Sequence, residues 1–233
     1  MSLTSTEVKD LTVGLFQQKS ERDKQKNVGA SNISDPCTRH LAKAMLREQE
    51  PEAKYWLGGK IGTAIHSFIE SAIDVSGSDA FADAVVERKI NLGEIDGYGV
   101  INSKPDLVLP SAKHLIDWKT SSRPKVKKLK DLVDGLKYDS GAEYTMQKYI
   151  GQAQLYAWGL NRASVEIDAV SLVFINRDGT YENDIWVHTV PYDKSIAVAL
   201  WDRLLSLWAE LEAGAHPDNY APHPECFKCA IGI

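Results

Sequence analysis

The stretch HLIDWKTSSRPK, positions 114–125, closes an apolar segment with an acid, a tryptophan and a base. Side chains alternate across a strand, so Asp117 and Lys119 share one face while Trp118 points to the other. On a surface strand such a pair is commonplace and alone says little. Upstream, Pro105-Asp106 opens the strand-like run PDLVLP, which can set Asp106 beside Asp117 on a neighbouring strand. Two carboxylates converging at a strand end repel each other unless a cation lies between them, and hard oxygen ligands suit Mg²⁺ or Mn²⁺. A cation held this way polarises a phosphate and lowers the pKa of a bound water. Lys119 would then orient that water or stabilise negative charge on the phosphoryl group.

Two helical patterns offer partners. In GTAIHSFIE, His66 and Glu70 are four residues apart and so lie one turn apart on one face. A histidine near an acid pair can complete a magnesium or manganese site, with Glu70 as a ligand or an orienting group. In GQAQLYAWGL, Gln152 and Tyr156 repeat the same spacing and present an amide and a phenol to DNA or to the lysine. Taken singly, the first is an ordinary half-buried pair and the second an ordinary helix face.

The order of these features carries more than any one of them. Gly62-x-x-x-His66-x-x-x-Glu70, Pro105-Asp106, Asp117-x-Lys119 and Gln152-x-x-x-Tyr156 follow one another along the chain. The set resembles the RecB-like branch of the PD-(D/E)XK nuclease superfamily, which includes phage exonucleases and the CRISPR-associated and AddB-type nuclease domains. The resemblance spans roughly residues 34–229. It implies an α/β, restriction-endonuclease-like αβββαβ core, with a mixed central sheet flanked by helices. It also implies hydrolysis of DNA phosphodiesters with Mg²⁺ or Mn²⁺, of exonuclease type, in recombination, repair or phage DNA processing. His66, Asp106, Asp117 and the Trp118 carbonyl would bind metal, and Lys119 would be catalytic with the acids and Glu70. Gln152 and Tyr156 would support the site or contact DNA. Position 117 carries Asp where many relatives have Glu. No GxxxxGK motif occurs, so a helicase, like a recombinase or single-strand-annealing protein, would be a separate partner chain. The competing expectation is a DNA-binding or assembly module that keeps the fold without catalysis.

These residues need elements to position them. The pattern predicts a polar helix over about Leu3–Lys26, a helix start at Ser34-Asp35-Pro36, and a buried helix over Tyr55–Ile73. Three glycines weaken the beginning of that buried helix, so its firm start is expected near Gly62. AVVERKINL, YGVIN, PDLVLP and KHLIDWK read as four strands of an antiparallel meander ending on Lys119. A Lys-rich connection, an amphipathic helix over about Ala142–Leu160, two further strands and a helix over about Asp193–Ala213 complete the pattern. Helices around a central sheet are expected. One nuclease domain spans 1–233, with a helical part over 1–50, a catalytic core over 51–190, and a C-terminal helix with a Cys-containing tail over 191–233.

The connection from Ser121 to Asp139 carries Arg123, Lys125, Lys127, Lys128, Lys130 and Lys137 against three aspartates, in a chain of net charge −5. Beside the candidate catalytic strand, such a basic segment can hold a phosphate backbone without reading sequence. The alternative is a solvated helix face. The cysteines are Cys37, Cys226 and Cys229, and the C-x-x-C spacing lets two thiolates reach one metal. Iron-sulfur members of the resembled family join one early cysteine to a C-terminal group of three. Here the fourth is absent, leaving His223, or less readily His40, as a fourth ligand. An iron-sulfur cluster, a structural Zn²⁺ and three buried thiols all stay open. With 43% hydrophobic and 25% charged residues, no long apolar run and no basic-then-apolar leader, a soluble cytoplasmic protein is expected, of phage or prokaryotic type.

Overall fold

The structure is a computed structural model, described for residues 4–16, 27–46 and 56–230. In chain order its elements are α1 (Ser5–Phe16), α2 (Ala30–Ile33), α3 (Thr38–Leu46), α4 (Trp56–Ser76), β1 (Val85–Val86), β2 (Ile90–Ile95), β3 (Gly99–Ser103), β4 (Leu107–Leu109), β5 (His114–Ser121), α5 (Arg123–Val133), α6 (Ser140–Arg162), β6 (Ala169–Asn176), β7 (Ile185–Pro191), α7 (Lys194–Glu212) and α8 (Phe227–Ala230). The main sheet runs β1-β4-β5-β6-β7. Its pairings are antiparallel except β5–β6, which is parallel and is bridged by the helical crossover of α5 and α6. This is the mixed α/β architecture expected, with a sheet between helices and a cysteine-bearing tail.

The expected four-strand meander divides in two. β2 and β3 pair only with each other, in a separate two-stranded sheet, while the two-residue β1 takes the place beside β4. The hairpin leaves the main sheet because helices hold it. Tyr98 meets Trp208 of α7 at 4.9 Å between rings, and Trp208 Nε1 donates to the Asp96 carbonyl at 3.0 Å. At Gly93, where φ is +150°, a Cβ would come 2.5 Å from the Trp201 ring, so only glycine lets α7 lie this close.

α6 is the axis of the molecule. Its expected amphipathic character gives way, from Gly151 to Leu160, to ten consecutive buried residues. The sheet lies on one side, the hairpin and α7 on the others, and glycines mark the closest approaches. A Cβ on Gly159 would sit 2.8 Å from Leu92 Cδ2, and one on Gly151 2.9 Å from Leu200 Cδ1. Asp139 caps the helix by accepting the Ala142 N–H at 2.9 Å.

α4 begins at Trp56 rather than near Gly62. Its glycines do not break it, and one of them has a structural use: a Cβ at Gly62 would stand 3.2 Å from Thr120 Oγ1, so the bare backbone passes close over β5. The Lys-rich connection is also a helix, α5, opened by Pro124 in its first turn. Of the N-terminal helix, α1 accounts for Ser5–Phe16, and residues 17–26 lie outside the described residues. α3 starts at Thr38, two residues beyond Pro36, and Asp35 Oδ1 accepts the Cys37 N–H at 3.0 Å just ahead of it. No described helix is long and apolar enough to cross a membrane.

Candidate active site

Asp117 and Lys119 project from β5 toward α6, while Trp118 and Thr120 face α4. The neighbours establish this division. Lys119 lies over the Tyr149 ring of α6 (4.9 Å to its centroid), and Trp118 meets the His66 ring of α4 edge-on at 6.1 Å. The antiparallel register pairs Leu107 with Ile116, so Asp106, one residue earlier, falls opposite Asp117. Asp106 Oδ2 accepts the Trp118 N–H at 2.8 Å, which fixes the carboxylate at the start of β4. Its Oδ1 lies 3.3 Å from His66 Nδ1. The site therefore occupies the place where both helical layers reach one strand end.

Lys119 is held from three sides. Its Nζ is 2.5 Å from Asp117 Oδ2, donates to Gln152 Oε1 at 3.0 Å and sits against the Tyr149 ring. Gln152 Nε2 in turn donates to the Tyr156 hydroxyl at 2.6 Å. Gln152 and Tyr156 thus act as one unit behind the lysine. Asp117 is almost wholly enclosed, its side chain 2% exposed.

That enclosure sets the electrostatics. Burial pushes the Asp117 carboxyl up to about 6; Lys119 opposes the shift and the Asp106 charge reinforces it. Burial also works against Asp106, but His66 and Lys119 hold its carboxyl below the usual range. The two acids keep Lys119 protonated, above its ordinary value, despite its burial. Two polar atoms of the cluster, Asp117 Oδ2 and His66 Nδ1, are buried and meet no partner among the described residues beyond the ion-pair contacts with Lys119 and Asp106. By chemical type, the carboxylates of Asp106 and Asp117 and the imidazole of His66 are donors that suit a hard divalent cation.

Other residues singled out from the sequence fall outside this contact set. Glu70 lies a turn beyond His66, half-buried, with no hydrogen bond or ion pair among the described residues. On α5, Lys127 pairs with Asp131 at 2.5 Å, Lys128 with Asp139 at 2.9 Å, and Arg123 with Asp184 at 2.8 Å, while Lys130 pairs with Asp134. Most of the basic charge is therefore answered locally, and Lys125 keeps no ion pair among the described residues. Tyr149, which the sequence reading passed over, lies three residues before Gln152 and so on the same helix face.

A second polar cluster lies where α3 meets the C-terminal tail. Cys37, Cys226 and Cys229 come together there, with Cys37 Sγ 3.5 Å from Cys229 Sγ. Asp35 stands beside them. Its Oδ2 meets His40 Nδ1 at 3.1 Å and Lys148 Nζ at 2.6 Å, and it accepts the Tyr144 hydroxyl. Tyr144, Lys148, Gln152 and Tyr156 recur every four residues on α6, so a single helix face serves both clusters. The periodicity was present in the sequence as a signal, although only its last two members were singled out there. His223 contributes its main-chain N–H to Cys37 Sγ at 3.5 Å, while its ring Nδ1 accepts the Glu225 N–H at 3.1 Å.

No family model and no curated protein matches the chain. Solved structures do. The chain is similar to an alkaline exonuclease from Laribacter hongkongensis, with a TM-score of 0.51 and 15% identity over 81% of this chain and 89% of that one. A structure of that exonuclease in complex with dAMP aligns with a TM-score of 0.50 at 16% identity over the same shares, 81% and 89%. A Eubacterium rectale protein provisionally described as an exonuclease aligns over 100% of this chain and 93% of its own, with a TM-score of 0.50 and 13% identity. At such identities the likeness lies in the fold, and the fold is that of these exonucleases.

Proposed function

We propose that this protein is a divalent-metal-dependent deoxyribonuclease that hydrolyses phosphodiester bonds and works as an exonuclease. The observation that carries the reading is the meeting of Asp106, Asp117 and Lys119 at one strand end. His66 joins them from α4 and Gln152 from α6. That short contacts join Lys119 to Asp117 and Gln152, and Asp106 to His66 and the Trp118 N–H, argues against coincidental spacing, and the fold shared with exonucleases, one of them in complex with dAMP, points to a nucleic-acid substrate.

His66, Asp106, Asp117 and the Trp118 carbonyl would hold Mg²⁺ or Mn²⁺. When bound, the ion supplies Lewis-acid polarisation of the phosphoryl oxygen and a more acidic water. The chain's own groups do the rest. Lys119 stays protonated between the acids, so it offers positive charge and N–H donors to the phosphate rather than accepting a proton. Gln152, steadied by Tyr156, and the Tyr149 ring limit where the ammonium can move. Asp106, held by the Trp118 N–H, keeps its carboxylate aimed beside Asp117. Lys125, on the helix that follows β5 and without an ion pair among the described residues, would meet the DNA backbone.

The test is cleavage of end-labelled linear and circular DNA, single- and double-stranded, with Mg²⁺, Mn²⁺ or chelator. Metal-dependent loss of mononucleotides from ends is expected. A folded Lys119→Ala protein that cleaves as fast as the unaltered one would overturn the reading.

A further inference from the structure

The resembled nucleases that carry an iron-sulfur cluster would put one at the cysteine corner, and the corner does not fit it. The three Sγ atoms all lie within 4.8 Å of one another, and two of them are 3.5 Å apart. A cubane cluster needs four cysteines, each on a different iron, and spreads their sulfurs far beyond that distance. The corner gathers three among the described residues. Thiolates bound tetrahedrally to a single ion with Zn–S near 2.3 Å stand about 3.8 Å apart. The spacing observed is that of one ion.

We propose that Cys37, Cys226, Cys229 and His40 form a mononuclear structural zinc site, oriented by Asp35. His40 is favoured over His223 on two grounds. Asp35, His40 and Cys226 also bring one ligand atom each within 4.8 Å of one another, whereas the ring of His223 joins neither group. Asp35 engages His40 Nδ1, as a carboxylate does behind a zinc-bound imidazole, so Nε2 is the nitrogen for the metal. His223 serves differently, through its N–H to the Cys37 sulfur.

Charge balance gives an independent reason. Lys148 and Arg203 both lie close to Asp35 in this corner: Lys148 pairs with its carboxylate at 2.6 Å, and Arg203 donates to its carbonyl at 2.7 Å. Arg203 Nε is buried without a hydrogen bond. With neutral thiols, the cations Lys148 and Arg203 stand near one carboxylate, a net positive charge in a corner where Lys148 is 27% exposed and Asp35 3%. Three thiolates and one Zn²⁺ add a net negative charge that cancels it.

The experiment is metal analysis of the full-length protein, purified without chelator, together with its cobalt-substituted absorption spectrum. One zinc per chain is expected, with a cobalt spectrum of tetrahedral thiolate type. Cys229→Ser should reduce zinc to a trace, while Asp106→Ala, which alters the strand-end site, should leave it in place. Asp35→Asn should weaken zinc binding roughly 10- to 100-fold, as loss of an outer carboxylate does elsewhere. Because a variant can fail to fold, the unaltered protein is also dialysed against chelator and its thiols titrated before and after. Protection of three thiols that is lost with the metal supports the site. A brown protein carrying iron and sulfide would overturn the proposal, as would metal-free protein with three reactive thiols, or zinc lost with Asp106→Ala but kept with Cys229→Ser. None of these readouts depends on nuclease activity, so they stand or fall apart from the reading of the strand-end site.

Discussion

The strand-end site and the cysteine corner are both buried polar clusters resting on the same face of α6, yet they differ in their donors. The first gathers carboxylates around a lysine, with an imidazole beside them; the second gathers thiols around an aspartate, also with an imidazole. Oxygen donors select a hard cation that exchanges readily and can do chemistry, and sulfur donors select a softer one that stays. The contrast also appears in the acids. Asp117 is raised because burial outweighs its lysine, whereas Asp35, facing His40, Lys148 and Tyr144 together, is held far below the usual carboxylate range despite its burial. One acid is poised for change and the other is satisfied. The proposed working site and the proposed fastening differ in this way.

The sharpest way to break the comparison is through Lys119. Lys119→Ala should lower kcat/KM on DNA by roughly 10³-fold, the scale of losing one charged donor to a developing phosphoryl charge. Its chemical denaturation midpoint should stay close to that of the unaltered protein. A comparable loss of activity from Cys229→Ser at equal folded fraction would mean that the corner takes part in the chemistry.

Next is Asp35→Asn, which breaks a buried ion pair and should cost about 3 kcal/mol of stability. Activity per folded molecule should hold, and urea melts beside specific activity decide the point. The same two acids should also respond to pH with opposite signs when no divalent metal is present. The depressed Asp35 stabilises the fold above its unfolded pKa, and that contribution is lost as the pH falls through its folded value. The raised Asp117 behaves in reverse: its protonated form stabilises fully below about pH 4 and the contribution is lost as the pH rises through about 6. Asp35→Asn should therefore lower Tm most at neutral pH and least in acid. Asp117→Asn should raise Tm above pH 6, with the gain vanishing below about pH 4. Thermal melts across that range test both signs. The smallest effect is expected at Tyr149. Tyr149→Leu removes the ring beneath Lys119 and should reduce kcat about 5-fold, by roughly 1 kcal/mol, with KM for DNA unchanged, whereas Tyr149→Phe should restore it.

Much of the strand-end site was legible because its signals are local. The i, i+4 pairs on α4 and α6 and the i, i+2 pair on β5 each follow from the repeat of one element, and their order along the chain joined them. Long-range packing was not legible. Nothing within the run from Val85 to Ser103 announces that Trp201 and Trp208, a hundred residues later, hold β2 and β3 away from the main sheet. α6 read as amphipathic because a helix enclosed by three neighbours has no distinctive period. The corner was half legible: the C-x-x-C was plain, but the place of His40 depends on how α3 folds back against a tail that lies far off in sequence.

The contact between Cys37 and Cys229 spans 192 positions. During synthesis, residues up to α7 can pair and pack as they emerge, but this junction has no partner until the last cysteine has been made. Closing so large a loop costs little more entropy than closing one half its size, since the cost grows only with the logarithm of length. The junction is thus a late event in the life of the chain, formed onto a body already folded, and a chain stalled or clipped before Cys226 would keep α6 and its strand-end groups while exposing the underside of α3 to proteases.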